Sequence, residues 1–277
     1  MIVKSMRGLG DNIYQRAFVK GLPKPVYIDT PWPELYEDIP GVHFTKPETK
    51  LRTQAKNIKR QVRRWDSAPS HSQTRIIRYG AEGIVPGMTS AFRARPVGFD
   101  LPAPRHDVGW LGHYVVVRPV TLRTEWMADT RNPEPEYVAQ ASAEAVRRGY
   151  TVVSVADLEH GKEFIVGTPP EAHHSYHAGE LDVLQLMALI QGAAAVIGGI
   201  GWIVPAALAA ECPAWIVCGG QGGFNAPELI CPPGSTITFS VPDNFCRCKH
   251  RQHNCNKRIA NHDADFTRWA NQHLPVV

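Results

Sequence analysis

The amino-acid sequence predicts an α/β protein whose two domains, each a parallel sheet covered by helices, face each other across a cleft. Short apolar runs alternate along the chain with segments of helical periodicity, and glycines follow several of the runs. This alternation is typical of parallel sheets with helices on their faces. A stretch rich in Pro, Gly and Arg over residues 67–112 interrupts it. The prediction is therefore a first domain at 1–110 and a second at 111–277.

Length and composition agree with a folded protein of one or two domains. The chain has 277 residues, of which 43% are hydrophobic and 20% charged, so it can build a core and is not disordered as a whole. Its most apolar stretch, residues 193–210, is interrupted by glycines and Pro205, which argues against a membrane span. The first residues lack the apolar segment of a secretory leader, and the sequence predicts a cytoplasmic protein.

The first domain opens with the pattern strand, glycine turn, helix, strand. Helical spacing of Ile13, Ala17 and Phe18 follows the turn at 8–12. A glycine turn between a strand and a helix leaves backbone N–H groups unpaired at the helix start, which suits an anionic ligand. The strands predicted in this domain are Met1–Met6, Lys24–Asp29 and Arg75–Tyr79.

A basic segment at residues 44–65 carries eight cationic side chains and one acid, Glu48. It is either a solvated helix face or a docking surface for a polyanion, with Trp65 available for stacking. The net charge of +4 permits nucleic-acid binding without requiring it. The cationic residues are Lys46, Lys50, Arg52, Lys56, Lys59, Arg60, Arg63 and Arg64.

The second domain repeats the alternation of strands and helices. Its last predicted strand runs into Gly219-Gly220-Gln221-Gly222-Gly223, which is either a flexible surface loop or part of the crevice where parallel strands end. The predicted strands are His113–Arg118, Tyr150–Val155, Ala195–Gly198 and Ala214–Gly219, and the helices are 134–148, Leu181–Ala195 and one that starts within Ala206–Ala210.

The order of motifs resembles the heptosyltransferase family, glycosyltransferase family 9. Residues 8–12, Gly-Leu-Gly-Asp-Asn, resemble its Gly-x-Gly-Asp opening, and residues 180–198 resemble its leucine-rich helix with the following Ala-Val-Gly strand. In the next segment, 199–209, the family usually has an Asp and a His where this chain has Gly199 and Val204. The variant looks like compact glycosyltransferase-like proteins of phages. The resemblance implies a GT-B-like arrangement of two Rossmann-like domains.

The resemblance implies an inverting glycosyltransferase that uses a nucleotide-sugar donor. The acceptor would bind the first domain and the donor the second. Asp11 matches the position of the family's proposed base, which deprotonates the acceptor hydroxyl. An Asp between a glycine turn and a helix is alternatively an N-cap.

A donor site is predicted at the ends of the second domain's strands. Backbone N–H groups at a helix start cradle phosphate, and guanidinium groups stabilise a leaving diphosphate. The alternatives are close backbone packing for the glycines and an ordinary charge at a strand end for Arg118. The predicted donor residues are Gly8, Gly10, Arg118, Thr121, Arg123, Gly198, Gly199, Gly201, Trp202, Gly220 and Gln221.

Three hypotheses about the function follow from these patterns, two of which differ in the acceptor. The basic segment and the phage-like character predict an anionic acceptor, a hydroxymethylated base in phage DNA modified in the host cytoplasm. The parent family instead implies a lipopolysaccharide or another glycan. The replacements at Gly199 and Val204 leave a third reading open, a binding protein that kept the fold and lost the reaction.

Cysteine and histidine residues are concentrated in two segments. Cys246, Cys248, His253 and Cys255 offer the four ligands of a structural zinc site, with buried thiols or a disulfide as the alternatives. Cys212 and Cys218 flank an apolar strand and are predicted core residues. The segment 173–177, which holds three histidines, is either a solvent-facing loop or, through His177 or Glu180, part of the donor cleft.

Overall fold

The computed structural model describes residues 1–277. The first domain is a four-stranded parallel sheet in the order β3-β2-β1-β4. Its elements are β1 (Ile2–Lys4), α1 (Leu9–Lys20), β2 (Val26–Asp29), β3 (Val42–Thr45), α2 (Arg52–Arg60), β4 (Thr74–Ile76) and α3 (Ile84–Phe92).

The second domain is a six-stranded parallel sheet in the order β12-β11-β10-β5-β7-β9, with an antiparallel pair, β6 and β8, beside it. Its elements are β5 (Tyr114–Arg118), β6 (Thr121–Arg123), α4 (Pro135–Arg147), β7 (Thr151–Val155), β8 (Glu163–Ile165), β9 (His174–Tyr176), α5 (Val183–Gly192), β10 (Ala195–Gly199), α6 (Ile203–Ala209), β11 (Ala214–Val217), α7 (Gly222–Asn225), α8 (Pro227–Ile230), β12 (Ile237–Ser240) and α9 (His262–His273).

The predicted architecture of two α/β domains with parallel sheets facing a cleft is confirmed. The first sheet ends at β4 and the second begins at β5, with α3 and an irregular segment between them. None of the helices has both the length and the apolar character that a membrane crossing requires.

The elements that were not predicted from the sequence are β3, α3, β6, β8, β9, α7, α8, β12 and α9. Helix α3 contains Pro86 and Gly87, and intrinsic propensity alone disfavours a helix there. Burial of Met88 and Phe92 in the core stabilises it. Strand β12 pairs with β11, so the prediction that the strand before Gly219 is the last parallel strand is wrong.

The hydrophobic core is continuous between the domains. One cluster of 41 buried residues includes side chains of the first sheet, of α1 and α3, and of one face of the second sheet. A second cluster of 17 residues fills the opposite face of the second sheet under α4 and α9. The two sheets therefore share one apolar layer, and the cleft is a gap at its edge.

The contact between α1 and α6 joins the two domains. A Cβ atom at Gly10 would lie 3.1 Å from the backbone Cα of Trp202, which is closer than ordinary van der Waals contact, so a side chain here would push the two helices apart. One turn further along α1, the buried Tyr14 hydroxyl donates a hydrogen bond to the carbonyl of Ile230 in the second domain. The start of α1 is thus held against the start of α6.

Replacing Gly10 by Val tests this contact. The new side chain would meet backbone atoms, so we expect the free energy of unfolding to fall by about 1–3 kcal/mol. Chemical denaturation monitored by circular dichroism measures it. Gly109→Ala is the control, because a Cβ atom there meets only the end of the Asp107 side chain. Equal stability of the Gly10 variant and the control would show that the helices do not touch as described.

Candidate functional site

A cleft of about 580 Å³ lies between the domains at the start of α1 and the ends of β5, β7 and β10. Of the predicted site residues, it brings together Gly8, Gly10, Asp11, Arg118, Thr121, Arg123, Gly201 and Trp202. Four others, Gly198, Gly199, Gly220 and Gln221, do not line it.

Asp11 is the carboxylate of the cleft that belongs to the first domain. It lies in the first turn of α1, whose N-cap is Gly8, so the alternative reading of Asp11 as an N-cap is wrong. The Tyr79 hydroxyl donates a hydrogen bond to its Oδ1 atom over 3.3 Å. Burial raises the pKa of Asp11 from 3.8 to about 6, although hydrogen bonds from Tyr79 and Gly8 and the charge of Arg131 act in the opposite direction.

Of the cations that line the cleft, Arg118 and Arg131 are the two that form neither an ion pair nor a side-chain hydrogen bond with the protein. Burial, then the charges of Arg131 and Arg123, lower the pKa of Arg118 to about 10. Burial and the charge of Arg123 likewise lower the pKa of Arg131, whose Nε atom is buried without a partner. Both groups remain charged at neutral pH. An anion in the cleft would supply the missing counter-charge.

Arg123 and Thr121 are already bound by an acidic residue. Glu163, which is 3% exposed, accepts a hydrogen bond from the Thr121 hydroxyl over 3.0 Å and pairs with Arg123 Nε at 2.8 Å. The guanidinium of Arg123 is therefore compensated within the protein. Arg131, which was not predicted as a site residue, has no ion-pair partner and replaces Arg123 as the second cation available to a ligand.

The glycines at the end of β10 and just after it divide into two groups. Gly198 and Gly199 lie inside the strand, paired with β5 and β11, rather than at a helix start as predicted. A Cβ atom on either would fall 3.0 to 3.1 Å from Arg118 or Pro133, which supports the alternative of close packing. Gly201 lies in the cleft, where a Cβ atom would be 3.2 Å from Arg118 Nη1. It leaves room for that guanidinium.

The run from Gly219 to Gly223 does not line the cleft. Its backbone N–H groups donate to carbonyls outside the cleft, from Gly220 to Thr130 over 2.6 Å and from Gly222 to Cys246 over 2.8 Å. A Cβ atom at Gly220 would lie 2.4 Å from Cys255 Sγ. The predictions that Gly220 and Gln221 line the crevice are therefore wrong, because this run packs under residues 246–258, the cysteine-rich loop.

Part of the basic segment connects the two domains instead of facing a partner. From α2, Arg52 pairs with Glu163 at 2.8 Å and with Asp157 at 3.2 Å. Lys56 pairs with Asp157 at 2.8 Å, and Arg60 donates to the carbonyl of Leu181. These cations close one side of the cleft. The interpretation of the whole segment as a docking surface for a polyanion is wrong for them.

The cleft has an apolar side, which the sequence analysis did not identify. It lies against β7, β9 and α5, where a capping box begins the helix, with Gln185 N donating to Asp182 Oδ1 over 2.8 Å. Trp126, 42% exposed, lines the cleft too. The apolar residues are Val155, Tyr176, Leu181, Val183 and Leu186.

The histidine-rich segment forms the edge strand β9 rather than a loop. His173 Nδ1 accepts a hydrogen bond from the Val152 backbone over 3.0 Å, and His177 Nε2 lies 2.8 Å from the Ser154 hydroxyl. Neither His177 nor Glu180 lines the cleft. These side chains hold the sheet edge.

The four predicted metal ligands lie together. The ligand atoms of Cys246, Cys248, His253 and Cys255 are all within 4.8 Å of one another, with Cys248 Sγ 3.7 Å from Cys255 Sγ. All six cysteines are free thiols, so the disulfide alternative is wrong, and Cys212 and Cys218 are buried core residues as predicted. Three thiols and an imidazole at this spacing fit a tetrahedral ion such as zinc, or iron in thiolate ligation.

The cysteine-rich loop also supports the turn that carries Arg131. The carbonyl of Arg251 accepts a hydrogen bond from Thr130 N over 3.1 Å, and its guanidinium lies 4.0 Å over the Trp126 ring. Lys257 donates to the Asp129 carbonyl over 3.2 Å. The loop and the cleft are therefore adjacent layers of one structure.

Solved structures of bacterial glycosyltransferases have a fold similar to that of this chain. The iron-containing dodecameric glycosyltransferase TibC of enterotoxigenic E. coli is 16% identical, with a TM-score of 0.64 over 98% of this chain and 74% of TibC. The E. coli ADP-heptose lipopolysaccharide heptosyltransferase II is 13% identical, with a TM-score of 0.56 over 98% of this chain and 99% of that one. The fold is that of the GT-B glycosyltransferases. A family 9 glycosyltransferase from Veillonella parvula, 12% identical, aligns with a TM-score of 0.59 over 99% of this chain and 96% of its own.

Comparison of sequences adds nothing to this likeness. No protein-family model and no characterised protein sequence matches the chain. At 12 to 16% identity, the structural likeness establishes the fold, and the chemistry depends on the residues in the cleft.

Replacing Asp11 by Asn tests the environment of the carboxylate. Because the pKa is 3.8 when unfolded and about 6 when folded, ionisation favours the unfolded state as the pH rises through this window. We expect Asp11→Asn to raise the free energy of unfolding by about 1–3 kcal/mol at neutral pH. Below about pH 3.5, where both states are protonated, the gain should vanish.

Urea denaturation at several pH values measures this difference. The control is Asp107→Asn, a change in an exposed loop, which should leave the stability unaltered at every pH. A difference between Asp11→Asn and the unaltered protein that does not depend on pH would contradict the raised pKa.

Proposed function

We propose that this protein is an inverting glycosyltransferase that uses a nucleotide diphosphate sugar. The observation that carries the proposal is that one cleft is lined by the Asp11 carboxylate from the first domain and by the guanidiniums of Arg118 and Arg131 from the second. Neither guanidinium has an ion-pair partner in the protein. A base on one side and cations on the other are what a single displacement at a sugar carbon needs. The GT-B fold supports the same reading.

The reaction assigns one task to each group. Asp11 takes the proton of an acceptor hydroxyl while that oxygen forms a bond to the anomeric carbon of the donor. The bond from this carbon to the diphosphate oxygen breaks, and its electron pair leaves with the diphosphate. Arg118 and Arg131 neutralise the charge that grows there, because neither guanidinium is paired with a carboxylate of the protein. Attack from the side opposite the leaving group inverts the anomeric configuration.

The donor proposed as the first probe is ADP-heptose. TibC has been solved in complex with ADP-D-β-D-heptose and shares the fold of this chain at 14% identity. The apolar side of the cleft, with Val155, Tyr176 and Leu186, offers a surface for a flat base next to the two arginines. The base would then lie against the second domain, with the diphosphate between it and Asp11.

The acceptor proposed is the hydroxyl of a glycan. Trp126 lines the cleft, and its partly exposed ring offers a sugar an apolar face. A hydroxymethylated base in phage DNA was the alternative from the sequence, but several cations that motivated it are paired within the protein. Duplex DNA is therefore tested as the competing acceptor.

Two measurements test the function. Incubation with ADP-heptose and with UDP- and GDP-sugars should release nucleoside diphosphate with one of them, and Asp11→Asn should lower the rate by at least about 100-fold. In thermal unfolding, the matching nucleoside diphosphate should raise the Tm of the unaltered protein. Arg118→Gln and Arg131→Gln should remove that rise without lowering the Tm of the free protein, because each deletes a charge that no group of the protein compensates.

Arg268→Gln, on the surface of α9, is the matched control for both arginine variants. Nucleotide binding without turnover of any donor would favour the non-catalytic binding protein. Binding of neither nucleotide nor nucleotide sugar would refute the proposal. Transfer to duplex DNA, together with affinity that falls steeply with salt, would replace the glycan acceptor by DNA.

We further propose that Cys246, Cys248, His253 and Cys255 bind one zinc or iron ion. Thiolates and an imidazole are ligands for both metals. TibC, whose fold is similar, is an iron-containing glycosyltransferase. When bound, the ion would close the cysteine-rich loop over the glycine run. The reacting groups lie in the cleft, so the role of the ion is structural.

Elemental analysis of the purified protein tests the metal site. We expect about one zinc or iron ion per chain, with visible thiolate-to-metal absorption only for iron, and loss of the ion in Cys248→Ser. Cys231→Ser, which changes a thiol outside the cluster, is the control and should retain the metal. A metal-free protein that cannot be loaded with either ion would exclude the site.

A further inference from the structure

Tyr79 contacts the proposed base and has no other hydrogen-bond partner. It lies in the segment between β4 and α3, and its hydroxyl donates to Asp11 Oδ1 over 3.3 Å at the edge of the cleft. Burial, followed by the charge of Asp11, raises the pKa of Tyr79. The phenol therefore keeps its proton at every working pH and acts as a donor toward Asp11.

The backbone around Tyr79 is built to hold its ring in place. A Cβ atom on Gly87 of α3 would lie 2.4 Å from the Tyr79 Cβ atom, so the helix approaches the tyrosine more closely than any other residue would permit. On the other side, Ile77 N donates to the Lys4 carbonyl over 3.0 Å and ties the segment to β1. Tyr79 thus has little freedom to leave Asp11.

The other groups around Asp11 are few. From its own helix, the Tyr14 phenol lies nearby, and from the segment after β2 the phenol of Tyr36 does, each with a pKa raised by burial. From the second domain Arg131 acts through its charge, and the Gly8 backbone N–H binds the carboxylate. Tyr79 is the one side chain that donates a hydrogen bond to this carboxylate.

We propose that Tyr79 is a positioning residue that fixes the rotation of the Asp11 carboxylate and favours its ionised form for proton abstraction. This inference rests on the proposed glycosyl transfer. With one oxygen bound by Tyr79, the remaining lone pairs of the carboxylate accept the proton of the acceptor hydroxyl. Without the phenol, burial alone acts on Asp11, and a larger share of the enzyme carries a protonated, inactive base at mildly acidic pH.

Tyr79→Phe removes the hydroxyl and keeps the ring. With the best donor from the panel, we expect kcat to fall roughly tenfold and KM to stay within about twofold. The acid limb of the kcat/KM profile should move to higher pH by up to about one unit, because the hydrogen bond lowers the pKa of Asp11 in the unaltered protein. A tyrosine that served packing alone would leave both the rate and this limb unchanged, because Phe keeps the ring.

A titration without turnover gives an independent reading. In protein labelled with ¹³C at aspartate carboxyls, the Asp11 signal is identified by its loss in Asp11→Asn, and its pKa is followed by NMR. It should rise in Tyr79→Phe. Should Tyr79→Phe unfold, Gly87→Ala serves instead, since the added methyl displaces the ring and keeps the hydroxyl. The control is Tyr27→Phe, a tyrosine outside the cleft.

The outcomes separate the two proposals. An acid limb and an Asp11 pKa that stay in place in Tyr79→Phe, while Asp11→Asn is inactive, would overturn the role of Tyr79 alone. Failure of the unaltered protein to use any nucleotide sugar would overturn the proposed function. The NMR titration would still decide whether Tyr79 favours the ionised Asp11.

Discussion

The close approach of α1 to α6 determines where everything else in this molecule lies. Because Gly10 has no side chain, the start of α1 rests directly on the backbone at Trp202, and two separate sheets become one body. The same contact brings Asp11, one residue after Gly10, to the wall opposite Arg118. A carboxylate and guanidiniums that stand more than 100 residues apart in the sequence then face one volume. The chemistry depends on this packing more than on any single polar contact.

The cleft separates cations that are already compensated from cations that are not. Arg123 and Arg52 both bind Glu163, so their charges are satisfied within the protein. Arg118 and Arg131 have no such partner and retain their charge at the cost of burial. Proteins rarely keep uncompensated buried charges without a ligand that completes them. The lack of an ion-pair partner for these two arginines therefore identifies the anion-binding part of the cleft better than the total basic charge of the chain.

Periodicity and glycine placement predicted the two parallel sheets and the helix after Gly8, and the close spacing of thiols and imidazoles predicted the cluster between Cys246 and Cys255. They did not predict α3, whose Pro86 and Gly87 are poor helix formers that tertiary packing overrides. Arg131 and Tyr79 could not be identified because no motif surrounds them and only the folded chain brings them to Asp11. The burial of a side chain and its ion-pair or hydrogen-bond partners are determined by the fold, and a short sequence motif does not reveal them.

The shared apolar layer limits how this molecule can move. Hinge-bending enzymes of two domains open by separating two cores, whereas here one cluster of 41 buried residues belongs to both sheets. Opening the cleft widely would expose that layer to water, at about 25 cal/mol for each Å². Large domain rotations are therefore costly, and the two halves should unfold in a single cooperative step. Entry of ligands into the cleft and their release then depend on rearrangement of side chains and short loops at its opening, on the time scale of loop motion.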